Sequence, residues 1–228
     1  MRGKLYGIGA GPGDPDLLTV KAIKTIQKCN TIAVPKTGDN GKVALKIIEG
    51  YLDGKDILEC QFSMDKDISV RKESRRLAAK EIIKSLDDGK DVGFITLGDP
   101  ATYSTYMYVH EIIVNEGFDA QIIPGITSYS AAAAALGIAL CESDEILTVI
   151  PMSHGEDIDK LLNLPGNKVI MKSGSNLPRV LKKLKEQGYD ESVKIVARAT
   201  MDGQRSYTSI SEYEKSPETS YFTLAIVK

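Results

Sequence analysis

Three short turns rich in glycine and proline carry the residue types in this chain that are best suited to holding a ligand. They are residues 6–15 (YGIGAGPGDP), 93–105 (GFITLGDPATYST) and 123–128 (IPGITS). Each follows or ends a short apolar run typical of a β-strand. Glycine reaches backbone angles closed to other residues and proline fixes its own φ, so a ligand can approach the main chain closely there. Because open α/β sheets bind ligands at strand ends, we expect the three turns to line one cleft.

The first turn does not match the common nucleotide-binding motifs. A G-x-G-x-x-G pattern would need glycine where Pro12, Asp14 or Asp16 stands, depending on its starting glycine. Pro12 also lacks the N–H that a pyrophosphate would require. A P-loop is excluded too, since no Gly-Lys pair has a glycine five positions before its own glycine. The sequence therefore argues against a nicotinamide, flavin or P-loop nucleotide site.

The composition is that of an ordinary globular protein. The chain has 228 residues, 42% hydrophobic and 26% charged, and its net charge of −2 argues against a general nucleic-acid binder. Three distant cysteines without a C-x-x-C pair indicate neither a metal site nor disulfides. The chain enters a strand pattern at once and has no long apolar run, so we expect a cytoplasmic protein without a membrane segment. Of the two histidines, His110 is expected to be structural and His154 to lie at the surface.

The apolar periodicity predicts two α/β domains. In the N-terminal domain, residues 1–118, strands and helices alternate, which favours a largely parallel sheet. Its elements are strands at 4–8, 31–34, 57–62 and 91–97 and helices at 17–29, 42–52, 69–86 and 105–115. The C-terminal domain, residues 119–228, is expected to have a mixed, more antiparallel sheet. Its elements are strands at 146–150, 168–171, 193–197 and 222–227 and helices at 128–136 and 177–187. A strand at 120–123, next to the domain boundary, continues the alternating pattern of the N-terminal half.

Several motifs together resemble one family. They are the turn at 6–15 with Leu18-Thr19 after it, Gly98-Asp99-Pro100, residues 124–128, residues 175–178 (SNLP), and Ala199-Thr200 with Gln204-Arg205. In this order they resemble the tetrapyrrole methylases, which transfer a methyl group from S-adenosylmethionine. Residues 98–105, residues 124–133 and Pro35-Lys36 are most similar to the subgroup that methylates C20 of precorrin-2 or cobalt-precorrin-2 in cobalamin biosynthesis.

The resemblance implies a cofactor site in the cleft between two α/β domains, S-adenosylhomocysteine as product, no protein-bound metal and a homodimer. Lys172 stands where relatives often have a methionine, with Met171 beside it. By position, the expected cofactor contacts are Pro12, Leu97, Gly98, Asp99, Thr102, Tyr103, Thr127, Ser128, Lys172, Ala199 and Leu224.

The substrate of such an enzyme carries eight carboxylates, so basic side chains near the cleft are expected to bind it. The candidates are Lys36, Arg198 and Arg205. After methylation, a base must remove the proton from C20. The sequence motifs do not identify this base. Asp99 and Tyr103 are the nearest candidates, although a carboxylate in a Gly-Asp-Pro turn is also typical of one that holds backbone N–H groups.

Three alternatives remain at this level. A methylase of the same fold can act at another ring carbon, on a diphthamide precursor or on ribosomal RNA. A non-catalytic tetrapyrrole carrier would keep the cleft but has no need of the cofactor turns, all of which are present. A dehydrogenase would need the glycine pattern that is absent. Tight binding of S-adenosylhomocysteine, without binding of NADH, separates a methylase from the other two.

Overall fold

The structure, a computed structural model, describes residues 2–36, 39–152, 157–218 and 220–228. Its backbone contacts divide the chain into two units, Met1–Thr127 and Ser128–Lys228. Each unit contains one five-stranded sheet. No helix within the described ranges is both long and apolar enough to cross a membrane.

The first unit has a parallel sheet, as the alternating pattern predicted. In chain order its elements are β1 (Leu5–Gly9), α1 (Val20–Lys28), β2 (Thr31–Pro35), α2 (Asp39–Ile47), β3 (Asp56–Cys60), α3 (Ile68–Asp87), β4 (Val92–Thr96), α4 (Tyr106–Asn115) and β5 (Ala120–Ile123). The strand order is β3-β2-β4-β1-β5, and every neighbouring pair is parallel. One-turn helices at Pro15–Leu17 and Glu49–Tyr51 complete the unit.

Helices cover both faces of this sheet, which is why β1 and β4 are buried along their whole length. On one face, Phe94 packs with Tyr106 of α4 and with residues of α3. On the other face, Ile8 and Ile32 pack with Ile26 of α1 and with residues of α2. The two apolar layers hold the strands rigidly, so the turns that follow them have a fixed base.

The second unit has the expected mixed sheet. Its elements are α5 (Ser128–Leu136), β6 (Leu147–Pro151), α6 (Ile158–Leu162), β7 (Asn167–Met171), α7 (Leu177–Glu186), β8 (Val193–Ala197), β9 (Arg205–Tyr207), α8 (Ile210–Lys215) and β10 (Thr223–Val227). The order is β6-β7-β10-β8-β9, where only β6 and β7 pair in parallel. The alanines of α5 pack on one face of the sheet, and the apolar sides of α6, α7 and α8 pack on the other.

The structure differs from the predicted outline at short elements. β9, α6 and α8 were not predicted, because they have only three to six residues and too few apolar positions to show a period. The domain boundary was predicted between residues 118 and 119, just before β5. In the structure β5 pairs with β1, and the first unit continues to Thr127.

Candidate functional site

The three glycine-rich turns lie at one edge of the first sheet. β1 is parallel to its neighbours β4 and β5, so the carboxyl ends of all three strands meet at that edge. Beyond the strands, the N–H of Gly98 donates to the carbonyl of Gly11 at 2.7 Å, and the N–H of Gly11 donates to the carbonyl of Gly98 at 3.2 Å. This pair of bonds joins the turn after β1 to the turn after β4. We call the three turns, residues 10–13, 97–103 and 124–127, the first-unit edge.

One glycine from each of the three segments meets at the base of this edge. A Cβ added to Gly9 would lie 2.6 Å from the Cα of Gly125 and 2.7 Å from the carbonyl oxygen of Gly98. A Cβ added to Gly125 would lie 2.2 Å from the same oxygen. Gly98 itself has a φ of 74°, in the region that favours glycine. The glycines are therefore needed because three backbone segments touch, and they do not form a phosphate-binding loop.

Asp99 joins the turn after β4 to the turn after β5. Its Oδ1 accepts hydrogen bonds from the N–H of Ala101 at 2.9 Å and from the hydroxyl of Thr102 at 3.2 Å. Its Oδ2 accepts a bond from the N–H of Gly125 at 3.0 Å. Three donors thus point at one carboxylate, which is the geometry of a backbone clamp.

Tyr103 has an unusual backbone conformation in the same turn. Its φ is 50°, in the left-handed region, and about half of the residue is exposed. A bulky residue in that region is strained, and such strain is concentrated at functional sites. Ser104 next to it is bound into the fold, because its hydroxyl lies 3.1 Å from that of Thr96 and accepts the N–H of Tyr106. Tyr103 is thus an exposed aromatic ring on a well-anchored turn.

Fewer backbone groups remain for a ligand here than the turns suggest. Gly98 uses both its N–H and its carbonyl on Gly11, and Ala101 and Thr102 give their N–H groups to Asp99. The bonds just described do not involve the main chain of Leu97 or the N–H of Asp99. The Leu97 residue is half-buried. Main-chain donors and acceptors beside apolar surface suit the adenine and amino-acid parts of S-adenosylmethionine. Pro12 is buried and Thr127 half-buried at the same edge.

The remaining predicted cofactor contacts belong to the second unit. β7 and β8 are both antiparallel to β10, so their carboxyl ends lie at one edge beside the start of β10. Lys172 follows β7, Ala199 lies just after β8, and Leu224 is the second residue of β10. We call this group of strand ends the second-unit edge. Ser128 is the first residue of α5.

The second-unit edge also concentrates left-handed backbone. Lys172, Arg198 and Thr200 have φ values of 55°, 54° and 64°. Non-glycine residues rarely adopt these angles, and three of them follow two strand ends here. Ala199 and Leu224 are buried in the apolar layer that includes α5. The contact of Lys172, Ala199 and Leu224 with a cofactor stays a prediction.

The predicted substrate-binding cations have acidic partners that sequence reasoning missed. Lys36, just after β2, forms an ion pair with Glu59 at 3.0 Å, and both side chains are more than half exposed. Arg198 and Arg205 both pair with Glu218, at 2.9 and 3.3 Å. Glu59 stands opposite Val34 in the β2–β3 register. Only strand pairing and loop geometry bring these acids to the bases, so no local sequence signal indicates them.

Among the described residues, no group of three His, Cys, Asp or Glu side chains is placed to hold a metal ion. His154 lies outside the described residues. The other histidine, His110, has its Nδ1 2.8 Å from the hydroxyl of the buried Tyr106, and burial lowers its pKa. This contact supports the structural role expected for His110.

The three cysteines should differ in their reactivity toward an alkylating reagent. Burial raises the pKa of Cys29 and of Cys60 to about 12, whereas Cys141 is partly exposed. Because the thiolate is the reactive form, we expect iodoacetamide at about pH 8 to modify Cys141 alone in the folded chain. Peptide mass mapping after a timed reaction measures this, and a urea-unfolded sample should react at all three. Rapid labelling of Cys29 or Cys60 in the folded chain would contradict the buried placement.

The two α/β units carry their glycine-rich turns and strained residues at strand ends, where α/β proteins commonly bind small molecules, and comparison with known proteins identifies the family. The family model "Tetrapyrrole (Corrin/Porphyrin) Methylases" matches residues 4–214. The chain is 37% identical over 227 residues to the probable cobalt-precorrin-2 C(20)-methyltransferase of Methanocaldococcus jannaschii, covering 99% of this chain and 96% of that protein. It is 32% identical over 237 residues to the precorrin-2 C(20)-methyltransferase of a Sinorhizobium species, covering 99% and 95%. The chain therefore belongs to the tetrapyrrole methylases.

Solved structures agree with this fold. The X-ray structure of the cobalt precorrin-4 methyltransferase CbiF has a TM-score of 0.77 at 26% identity and covers 98% of this chain and 94% of that chain. The uroporphyrin-III C-methyl transferase of Thermus thermophilus, complexed with S-adenosyl homocysteine, has a TM-score of 0.72 at 20% identity and covers 99% and 97%. The expected family and α/β fold class are confirmed.

Proposed function

We propose that this chain transfers a methyl group from S-adenosylmethionine to C20 of precorrin-2 or cobalt-precorrin-2 in cobalamin biosynthesis. The observation that carries the proposal is the similarity over 99% of the chain to two proteins named as C20-methyltransferases of these rings. The first-unit edge supports it, because its turns offer main-chain groups beside half-buried apolar surface. A nucleotide-binding dehydrogenase receives no support, since three touching backbone segments occupy the place of a phosphate loop.

The protein's part in such a reaction is mainly to position the reactants. When bound, S-adenosylmethionine supplies an electrophilic methyl group on a sulfur that departs as a neutral thioether. The turns of the first-unit edge are tied together by the Gly11–Gly98 bridge and by Asp99, so they hold a ligand without reorganising. Pre-organised alignment of this kind can lower a barrier by about 7–11 kcal/mol.

The two candidates for the base, Asp99 and Tyr103, have different surroundings in the same turn. Asp99 already accepts three hydrogen bonds from its own turn and from Gly125, so we assign it to positioning. Tyr103 presents an exposed ring from a strained backbone on the same turn, which suits contact with the flat tetrapyrrole. We therefore propose Tyr103 as a substrate contact. A homodimer, which the family resemblance implies, and a cytoplasmic location, which was expected from the sequence pattern, remain part of the proposal.

Methyl transfer followed by mapping of the product tests the function. We expect isotopically labelled S-adenosylmethionine to methylate precorrin-2, supplied with and without inserted cobalt, at C20. The ring form with the higher kcat/KM identifies the natural substrate. Label at another carbon would retain a methylase but overturn the C20 assignment. Binding of both reactants without transfer would instead indicate a carrier.

A further inference from the structure

Two arginines and one glutamate form a cluster at the second-unit edge. The Nε of Arg198 lies 2.9 Å from Oε1 of Glu218, and the Nε of Arg205 lies 3.3 Å from Oε2 of the same carboxylate. The glutamate side chain is only 18% exposed, whereas the arginine side chains are 46% and 55% exposed. The acid is thus the inner member, and the two guanidinium groups face outward. We call these three residues the Arg–Glu–Arg cluster.

The chain holds this cluster with a well-ordered hairpin. β8 and β9 are paired so that Ala197 lies opposite Arg205, which places Arg198 close to Arg205. Inside the hairpin loop, the N–H of Met201 donates to the carbonyl of Arg198 at 2.9 Å, and the N–H of Thr200 donates to Oε1 of Gln204 at 2.6 Å. The Nη1 of Arg205 donates to the hydroxyl of Ser216 at 3.1 Å. Both arginines are therefore fixed before any ligand arrives.

Stability does not account for an arginine at position 198. Its φ of 54° is a conformation that favours glycine or asparagine, so a long side chain there is strained. Glu218 is mostly buried and therefore needs a positive partner, but Arg205 already supplies one, so neutralising this carboxylate does not require a second cation at a strained position. A cation kept at a strained position beside Ala199 points to a ligand.

The chemistry of the cluster identifies the ligand class. A guanidinium has five N–H donors, and Glu218 is contacted through the Nε of each arginine. Two positive charges and one negative charge leave a formal charge of +1 facing outward. Because guanidinium groups recognise carboxylates through paired hydrogen bonds, we propose that the Arg–Glu–Arg cluster binds a peripheral carboxylate of the tetrapyrrole. Glu218 is the inner counter-charge, and it competes with a ligand carboxylate for the two arginines. This inference rests on the proposed function.

Binding of uroporphyrin III, a stable porphyrin with the same eight carboxylates, tests the proposal. The variant Arg198→Asn accepts the left-handed backbone, and Arg205→Gln keeps a polar side chain. We expect the double variant to raise the Kd for uroporphyrin III about tenfold, the effect of losing one charge-assisted contact. Glu218→Gln should have the opposite effect and tighten binding roughly threefold at low salt, because it removes a repelling charge. Added KCl should reduce both differences.

The controls separate this inference from a structural role and from failure of the proposed function. Arg76→Gln removes an arginine that is paired with Glu73 on α3 at similar exposure, and it should leave the Kd unchanged. The Kd for S-adenosylhomocysteine should stay at its wild-type value in all variants. Equal weakening by the arginine variants and by Glu218→Gln would show a structural ion pair and overturn the inference. Wild-type Kd values for uroporphyrin III in the double variant, or no binding by the wild-type chain, would overturn it as well. If the wild-type chain binds uroporphyrin III but does not methylate C20, the result contradicts only the proposed function.

Discussion

Replacing Gly125 with alanine is expected to lower the free energy of unfolding by about 3 kcal/mol and to abolish binding of S-adenosylhomocysteine. The added Cβ would lie 2.2 Å from the carbonyl oxygen of Gly98 and 2.8 Å from the Cα of Gly9. Each of these contacts is with backbone, so no side-chain rotation relieves the overlap. The turns after β4 and β5 must move apart, which breaks the bond from the Gly125 N–H to Asp99. Urea unfolding and isothermal titration calorimetry measure the two effects.

Gly50 provides the matched control for this substitution. It lies in the one-turn helix Glu49–Tyr51, where a Cβ would meet nothing within 4 Å. Gly50→Ala should leave binding unchanged and should raise stability slightly, by at most about 1 kcal/mol, since the unfolded chain loses freedom. If Gly125→Ala unfolds at the same urea concentration as Gly50→Ala and still binds the ligand, the three turns are not in the close contact described.

The framework of the fold could be predicted from local patterns. Strands β5 and β8 and helix α5 were predicted at the bounds that the structure shows. Each has a run of apolar or small residues bounded by glycine, proline or polar residues, so a short window contains the signal. A mixed, more antiparallel sheet was also expected for the C-terminal domain and is confirmed, since β10 is antiparallel to both β7 and β8 while β6 is parallel to β7. The grouping of the glycine-rich turns followed because parallel strands end at a common edge.

Interactions between distant residues could not be predicted in the same way. The bond from Gly125 to Asp99 spans 26 residues, and the ion pairs of Arg198 and Arg205 depend on where a loop places Glu218. Sequence reasoning gave Gly98 a cofactor contact, which stays a prediction, but it did not indicate that the N–H and the carbonyl of Gly98 each bond to Gly11. Local pattern identifies the residues that meet at an edge. It does not identify which of their polar groups are already paired, because that depends on register and loop closure.

Asp99→Asn should weaken the binding of S-adenosylhomocysteine by at least about tenfold. The carboxylate accepts donors on both oxygens, whereas an amide can accept on only one side. In the variant an NH₂ group must face either the N–H of Ala101 or the N–H of Gly125, and one turn loses its partner.

The pH dependence of kcat distinguishes this positioning role from catalysis. If Asp99 positions the turns, the variant at saturating S-adenosylmethionine should keep the wild-type shape of its pH profile, with the loss concentrated in the KM for S-adenosylmethionine. The exposed Asp53→Asn, between α2 and β3, should match the wild type in both measurements. If Asp99 is instead the base that removes the C20 proton, the variant will bind S-adenosylhomocysteine normally and lose kcat at every pH. If Asp99 only positions the turns, the variant will instead bind S-adenosylhomocysteine more weakly and keep the pH profile of kcat. The reason is that the three hydrogen bonds of Asp99 hold the turns together, and its carboxylate takes no part in proton transfer.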